Sequence, residues 1–150
     1  IVKIFENIGT AKVASSAQEA KSLKFLNLDD GITMNRSRLL HDAKEKCLSL
    51  VENYKAPLTK EHNLPGPSGK ATLDLAVKDL VKAGHATPHD VAVTDYLAYI
   101  LTGGDTDPTE LVSDDKILEM EREGIMALMK TEKTMDRIES MLTTGKPLRN

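Results

Sequence analysis

Aromatic side chains are scarce in this 150-residue chain, at 3% with no Trp, while apolar residues make up 40%. Any core must therefore be built from Leu, Ile, Val, Ala and Met. That palette suits packed helices better than a β-sandwich, which draws on aromatic and β-branched residues. Cysteine is reduced to Cys47, so no internal disulfide can form and nothing points to an oxidising compartment. An excess of base is missing as well. The net charge is −3 and the pI near 5.8, and no basic stripe runs along the chain to follow phosphates, which argues against a nucleic-acid partner. No apolar run approaches the ~20 residues that cross a bilayer. The start, Ile1-Val2-Lys3-Ile4-Phe5-Glu6, has neither an initiator Met nor a signal-peptide apolar region. It reads as a cut through a longer protein, expected to be cytoplasmic.

What is present is helical periodicity. Ile1, Ile4, Phe5 and Ile8 mark the end of an amphipathic helix over residues 1–8. Ser16-Ala17-Gln18-Glu19 is a capping box for a short helix to about residue 24. Ile32-Thr33-Met34, after the Asp30-Gly31 turn, reads as a short extended piece. Asn35 predicts the N-cap of a long helix over residues 35–54, whose stripe is Leu39, Leu40, Ala43, Cys47, Leu50, Val51 and Tyr54. Pro57, Pro65, Gly66, Pro67 and Gly69 then break the pattern, marking residues 56–69 as a linker.

Four more helical patterns follow. Leu73, Ala76, Val77, Leu80 and Val81 define one that stops at Gly84. Thr87-Pro88-His89-Asp90 opens the next, with Thr as cap and Pro at the first helical position, and Gly103-Gly104 closes it. Its expected inner face is Val91, Leu97, Ile100 and Leu101. Ser113-Asp114-Asp115 opens a third, with acids at the positive end of the helix dipole; Ile117, Met120, Ile125, Leu128 and Met129 should face inward. Met135, Ile138, Met141 and Leu142 mark the last, ended by Gly145. The six Met residues read as core filler. The chain is expected to be all-α, with five to six helices and at most one short strand near residues 32–34.

Few patterns suggest chemistry. The glycine-rich G-x-G-x-x-G turn of dinucleotide sites is absent, so no cofactor is expected in this segment. Gly66-Pro67-Ser68-Gly69-Lys70-Ala71-Thr72 resembles a phosphate loop but fails its pattern, since Leu64 stands at the first Gly and Ala71 after the Lys. Ser68, Gly69 and Lys70 remain anion candidates at a helix N-terminus; a helix start with a solvated Lys is the plainer reading. His85 and His89 are four apart, but Thr87 and Pro88 place them across a helix start, and a closed zinc site needs four ligands. Asp105, Asp107 and Glu110 lack a calcium loop's spacing and suit turns instead. Glu119, Glu121 and Glu123 read as a wet face, and Cys47 as packing on its stripe. His41 and His62 read as ordinary exposed or partly buried side chains.

Two stretches carry a resemblance. Residues 8–20, Ile8-Gly9-Thr10-Ala11-Lys12-Val13-Ala14-Ser15-Ser16-Ala17-Gln18-Glu19-Ala20, then Phe25-Leu26 and Ile32-Thr33-Met34-Asn35-Arg36, resemble the close of the crotonase-superfamily hydratase module in fused bacterial β-oxidation enzymes. Lys24 stands where that pattern often has Gly. The second stretch joins Leu64-Pro65-Gly66-Pro67-Ser68-Gly69-Lys70-Ala71-Thr72-Leu73, Leu97-Ala98-Tyr99-Ile100-Leu101-Thr102-Gly103-Gly104-Asp105, Leu118-Glu119-Met120-Glu121-Arg122-Glu123 and Met141-Leu142-Thr143-Thr144-Gly145-Lys146-Pro147-Leu148-Arg149-Asn150. It is similar to the C-terminal extension of the same enzymes, 3-hydroxyacyl-CoA dehydrogenases with enoyl-CoA hydratase activity. The resemblance implies that residues 1–55 end a hydratase module and that residues 70–150 form a helical extension like a dehydrogenase helical domain. It also implies that every catalytic residue and the NAD site lie upstream of residue 1, so no catalytic, cofactor or metal residue is assigned here. The expected partners are the upstream dehydrogenase and hydratase domains, with acyl-CoA bound by the parent and a homo-oligomer allowed. The expected role is structural, a docking or subunit-interface segment with stray apolar faces, above all in residues 1–54. Two alternatives stand beside it: a segment gripping coenzyme A phosphates with Lys70 or the Lys146–Arg149 tail, and an independent helical protein-interaction domain.

Overall fold

Helix-forming stripes separated by cap and turn residues give seven α-helices and one small sheet in the computed structural model, which describes all 150 residues. In chain order these are α1 (Val2–Gly9), α2 (Ala17–Ser22), a 3-10 turn (Arg36–Arg38), α3 (Leu39–Val51), β1 (Glu61–Asn63), α4 (Gly66–Lys82), α5 (Pro88–Leu101), β2 (Leu111–Ser113), α6 (Asp114–Leu128) and α7 (Glu132–Thr144). The all-α expectation holds, with more helices than the five to six expected.

The strand falls elsewhere than residues 32–34. No neighbouring strand completes a ladder there; Thr33 is tied instead by its hydroxyl, which donates to Asp42 at 3.1 Å. The ladder joins β1 to β2, antiparallel, with Glu61 opposite Ser113, His62 opposite Val112 and Asn63 opposite Leu111. The stretch 56–69 accordingly holds a strand and the first turn of α4 as well as connecting chain. Pro67 fits that first turn because the amide it lacks would have no helical partner.

The chain divides into two compact units, one of residues 12–58 and one of residues 1–11 with 59–150. In the larger unit α5 is central, packed by α4, α6 and α1. Its core is Phe5, Leu73, Val77 and Ala98, with Leu97 and Leu101 against it. Local chemistry starts these helices as the sequence implies. The Thr87 hydroxyl accepts from the Asp90 amide at 3.1 Å while the Asp90 carboxylate accepts from the Thr87 amide at 2.8 Å. Ser113 caps α6 through the Lys116 amide at 3.2 Å. Thr131, an unforeseen cap, starts α7 four residues ahead of Met135.

In the smaller unit Leu23 is the buried apolar residue. The Ser16 hydroxyl accepts from the Glu19 amide at 3.1 Å, but the Glu19 carboxylate reaches the Ser15 amide (2.7 Å) rather than that of Ser16. Asn35 caps the 3-10 turn through the Ser37 amide at 3.0 Å, so the long helix begins at Leu39 and ends at Val51, short of both expected limits.

Burial departs furthest from expectation. Of the six Met, Met120 alone is buried, so the others are not core filler. Met135, Ile138, Met141 and Leu142 of α7 face solvent, as do Val91, Ile125 and Met129. Nothing within residues 12–58 covers the α3 stripe, and Cys47 on it is exposed rather than packed. No helix is long and apolar enough to cross a membrane.

Candidate functional site

The first turns of α4 bring Ser68, Gly69 and Lys70 together, but each is already engaged. The Gly66 amide donates to the Thr102 carbonyl at 2.8 Å, and Gly66 is buried with φ +59°. A Cβ there would lie 2.1 Å from the Thr106 carbonyl oxygen, so glycine is needed for close backbone approach. A Cβ on Gly69 would meet the Pro65 ring at 2.3 Å. Ser68 Oγ donates to the Pro65 carbonyl at 2.9 Å. Lys70 Nζ reaches Asp74 at 2.9 Å and also bonds Asp95. Burial pushes the Lys70 ammonium down, but hydrogen bonds from Asp95 and Asp74 outweigh it and hold the pKa above the ordinary lysine value. The glycines thus serve packing against the turn after α5, and the lysine is neutralised by two carboxylates.

A second polar cluster joins α5, α7 and the C-terminal tail. Arg137 Nη1 lies 2.8 Å from the Asp90 carboxylate, and its other nitrogens donate to Thr87 Oγ1 at 3.3 Å, to Asn150 Oδ1 at 2.8 Å and to the Asn150 carbonyl at 3.3 Å. Burial pushes the Asp90 carboxyl up, but the Thr87 amide and Arg137 hold it below the usual carboxylate range. His89 is buried beside them, its Nε2 2.9 Å from Thr134 Oγ1. Burial lowers its pKa, and the charges of Arg137 and Lys133 lower it further. His85, four residues earlier, is exposed, with its carbonyl accepting from Arg149 at 2.7 Å. The tail base Arg149 is therefore spent on the fold. Sequence reasoning missed Arg137 and the role of His89, because their partners lie 45 to 50 residues away.

The remaining candidates are separate. His62 Nε2 lies 2.6 Å from Asp114, linking β1 to the start of α6 and holding that carboxyl below its usual range. Asp107 accepts from the Thr109 amide at 2.8 Å and Asp105 from the Tyr99 hydroxyl at 3.1 Å, so both serve turn geometry. Glu119, Glu121 and Glu123 are exposed, with Glu119 paired to Lys116 at 2.8 Å. An open cleft of about 580 Å³ lies over Tyr99, Asp105, Glu110, Lys116 and Met120. No group of three or more His, Cys, Asp or Glu side chains gathers as a metal site.

The largest feature is apolar. The chain exposes 11448 Å², whereas separate compact bodies with the masses of the two units would together expose roughly 9,000 Å². Part of it lies on one face of α3, where Leu39, Leu40, Leu50 and Val51 are exposed, Leu40 at 84%. Soluble monomers seldom show contiguous apolar surface on this scale without a use for it.

The chain thus holds two helical units, with Lys70, His89 and Arg137 engaged by partners in the larger one and apolar side chains of α3 and α7 exposed. The chain is 37% identical over 150 residues to a protein of Bacillus subtilis (strain 168) named probable 3-hydroxyacyl-CoA dehydrogenase. That match covers 99% of this chain but 19% of the relative, so the chain spans about a fifth of the protein it resembles. No family model matches it, and no solved structure matches it.

Proposed function

We propose that this chain is a non-catalytic segment of a 3-hydroxyacyl-CoA dehydrogenase of fatty-acid β-oxidation, with a structural role in seating the catalytic parts. The observation that carries the reading is the end-to-end similarity to one fifth of such a protein. The outward apolar faces support it, since a segment shaped to lean on neighbours leaves them bare when alone. In the parent, a hydratase module adds water across the double bond of a 2-enoyl-CoA. The dehydrogenase then passes hydride from C3 of the 3-hydroxyacyl-CoA to NAD while a base takes the hydroxyl proton. Both steps belong to residues outside this chain, whose residues 1–55 close the hydratase module and whose residues 70–150 form the extension. The coenzyme A alternative has less behind it, because a phosphate at Lys70 would have to displace Asp74 and Asp95 from the ammonium.

The complete polypeptide should reduce NAD with a 3-hydroxyacyl-CoA and hydrate a 2-enoyl-CoA, in two separate assays, and the 150-residue chain should do neither. A complete polypeptide inert towards 3-hydroxyacyl-CoA and NAD, or turnover by the chain alone, would overturn the reading. Saturable coenzyme A binding by the chain, lost in Lys70→Ala, would favour the alternative.

A further inference from the structure

Helix α1 belongs to the larger unit by packing and not by chain order. The chain leaves that unit after Ala11, where φ is +49°, and builds the whole of the 12–58 unit before it returns at Thr59. Phe5 nevertheless lies in one buried cluster with Leu73 and Val77 of α4 and Ala98 of α5, at 5% exposure. A Cβ on Gly9 would lie 4.0 Å from Thr94 and Leu97, so α1 stays against α5 to its last residue.

The hold on α1 is narrow. Ile1, Val2, Ile4 and Ile8 are each about half exposed, which leaves Phe5 as the one buried apolar side chain of the helix. Its hydrogen bonds stay within residues 1–11, and none of the ion pairs reaches it. The elements around the seat have contacts of their own, α4 with α5 and α5 with α6. One aromatic side chain set among aliphatic ones, inside an otherwise thin contact, is the pattern of a helix recognised in a groove. A helix of 8 residues is unstable in water by itself, and a single anchor supports only weak association. The 12–58 unit makes up for this as a tether, holding α1 near its seat at an effective concentration on the order of millimolar. A weak site then stays filled while the chain is intact.

We propose that residues 59–150 carry a binding site for a phenylalanine-bearing amphipathic helix, and that α1 occupies this site as a releasable clasp. What the clasp joins rests on the reading above, with the close of a hydratase module on one side and the extension on the other. That it binds does not rest on that reading.

A protease site placed between Leu58 and Thr59, where Leu58 is 90% exposed, lets the folded chain be cut into pieces 1–58 and 59–150. Dilution should separate the pieces, and sedimentation of mixtures at rising concentration should show saturable re-association. The 1–58 piece carrying Phe5→Ala, titrated on the wild-type 59–150 piece, should bind at least about a hundredfold more weakly. Ile4→Ala, beside it and half exposed, should weaken binding by less than roughly tenfold. The separated 59–150 piece should keep its helices by circular dichroism. Loss of its helix content on separation would overturn the proposal, because α1 would then be part of the core and not a ligand of it. Equal affinity of the wild-type and Phe5→Ala pieces would overturn it too, as would the absence of saturable re-association. No turnover is read, so failure of the clasp leaves the assays of the complete polypeptide untouched, and failure of those assays leaves the clasp standing.

Discussion

Helices α2, α4 and α5 end with the same pair of backbone bonds, and one of the three makes them with a lysine. In α4 the Gly84 amide donates to Val81 and the His85 amide to Leu80; in α5 Gly103 donates to Ile100 and Gly104 to Tyr99; in α2 Lys24 donates to Lys21 and Phe25 to Ala20. The motif puts the residue after the cap in left-handed conformation, and Lys24 is there at φ +66°. A non-glycine residue in that region costs about 1 kcal/mol. Lys24→Gly should therefore stabilise α2 by roughly 0.5–1 kcal/mol, and Gly84→Ala, with open space around its new Cβ, should destabilise α4 by about 1 kcal/mol. Hydrogen exchange in the two helices reads both, and equal signs would refute the shared cause. His89 gives a second residue-scale expectation. Burial and the charges of Arg137 and Lys133 hold its pKa below the ordinary histidine value of about 6.5. The unfolded chain then binds a proton first as pH falls, so the His89 contribution is fully present above about 6.5 and is lost from there down through the folded pKa. His89→Gln should flatten the urea midpoint between about pH 7 and pH 5; an unchanged slope would mean that another group titrates there.

At the scale of elements, α7 is held on by polar contacts while its apolar face stays bare. Arg137 joins it to Asp90, Thr87 and Asn150, Thr134 joins it to His89, and the Lys133 carbonyl accepts from Asn150 at 3.1 Å. Both side chains of the Arg137–Asp90 pair are less than a third exposed, so losing the guanidinium leaves a carboxylate poorly solvated. Arg137→Ala should cost about 1–2 kcal/mol, and Arg137→Lys should recover less than half, because an ammonium cannot bond three partners from one plane. Faster hydrogen exchange confined to α7 and the tail is the expected signature, and full recovery by lysine would argue for charge alone. The same helix shows what was legible. Caps and stops are local chemistry, so Ser16, Thr87, Ser113, Gly84 and Gly145 could be read from the sequence. The Arg137 cluster joins residues far apart and has no local signature. The β1–β2 ladder is equally remote, and Glu61-His62-Asn63 has no β-branched residue to announce it. Lys70 was singled out for glycines that turn out to serve close packing. A helical stripe shows which face is apolar, not whether anything lies against it: Met135 and Met141 of α7 read as core filler yet stand in solvent, whereas the bare face of α3 agrees with the stray apolar faces expected in residues 1–54.

For the whole molecule the uneven burial has a thermodynamic consequence. The larger unit has a continuous core, with Leu73 at 2% and Ala98 at 0% exposure, whereas the smaller has Leu23 at 9% and a helix with no buried residue. An isolated helix of 13 residues is marginal in water without packing on its apolar side. Stability should therefore be graded along the chain instead of shared. On its own, the 150-residue chain should lose α3 at low urea and α4–α5 later, so that helix content by circular dichroism falls before the core signal does. With Tyr54 and Tyr96 replaced by Phe, Tyr99, packed beside Gly104, reports the later step by fluorescence. Coincident transitions from the two probes would mean that residues 12–58 draw stability from the rest of the chain, and α3 would then need no outside support. Separated transitions in the chain that merge in the complete polypeptide would show the missing packing energy arriving from outside it.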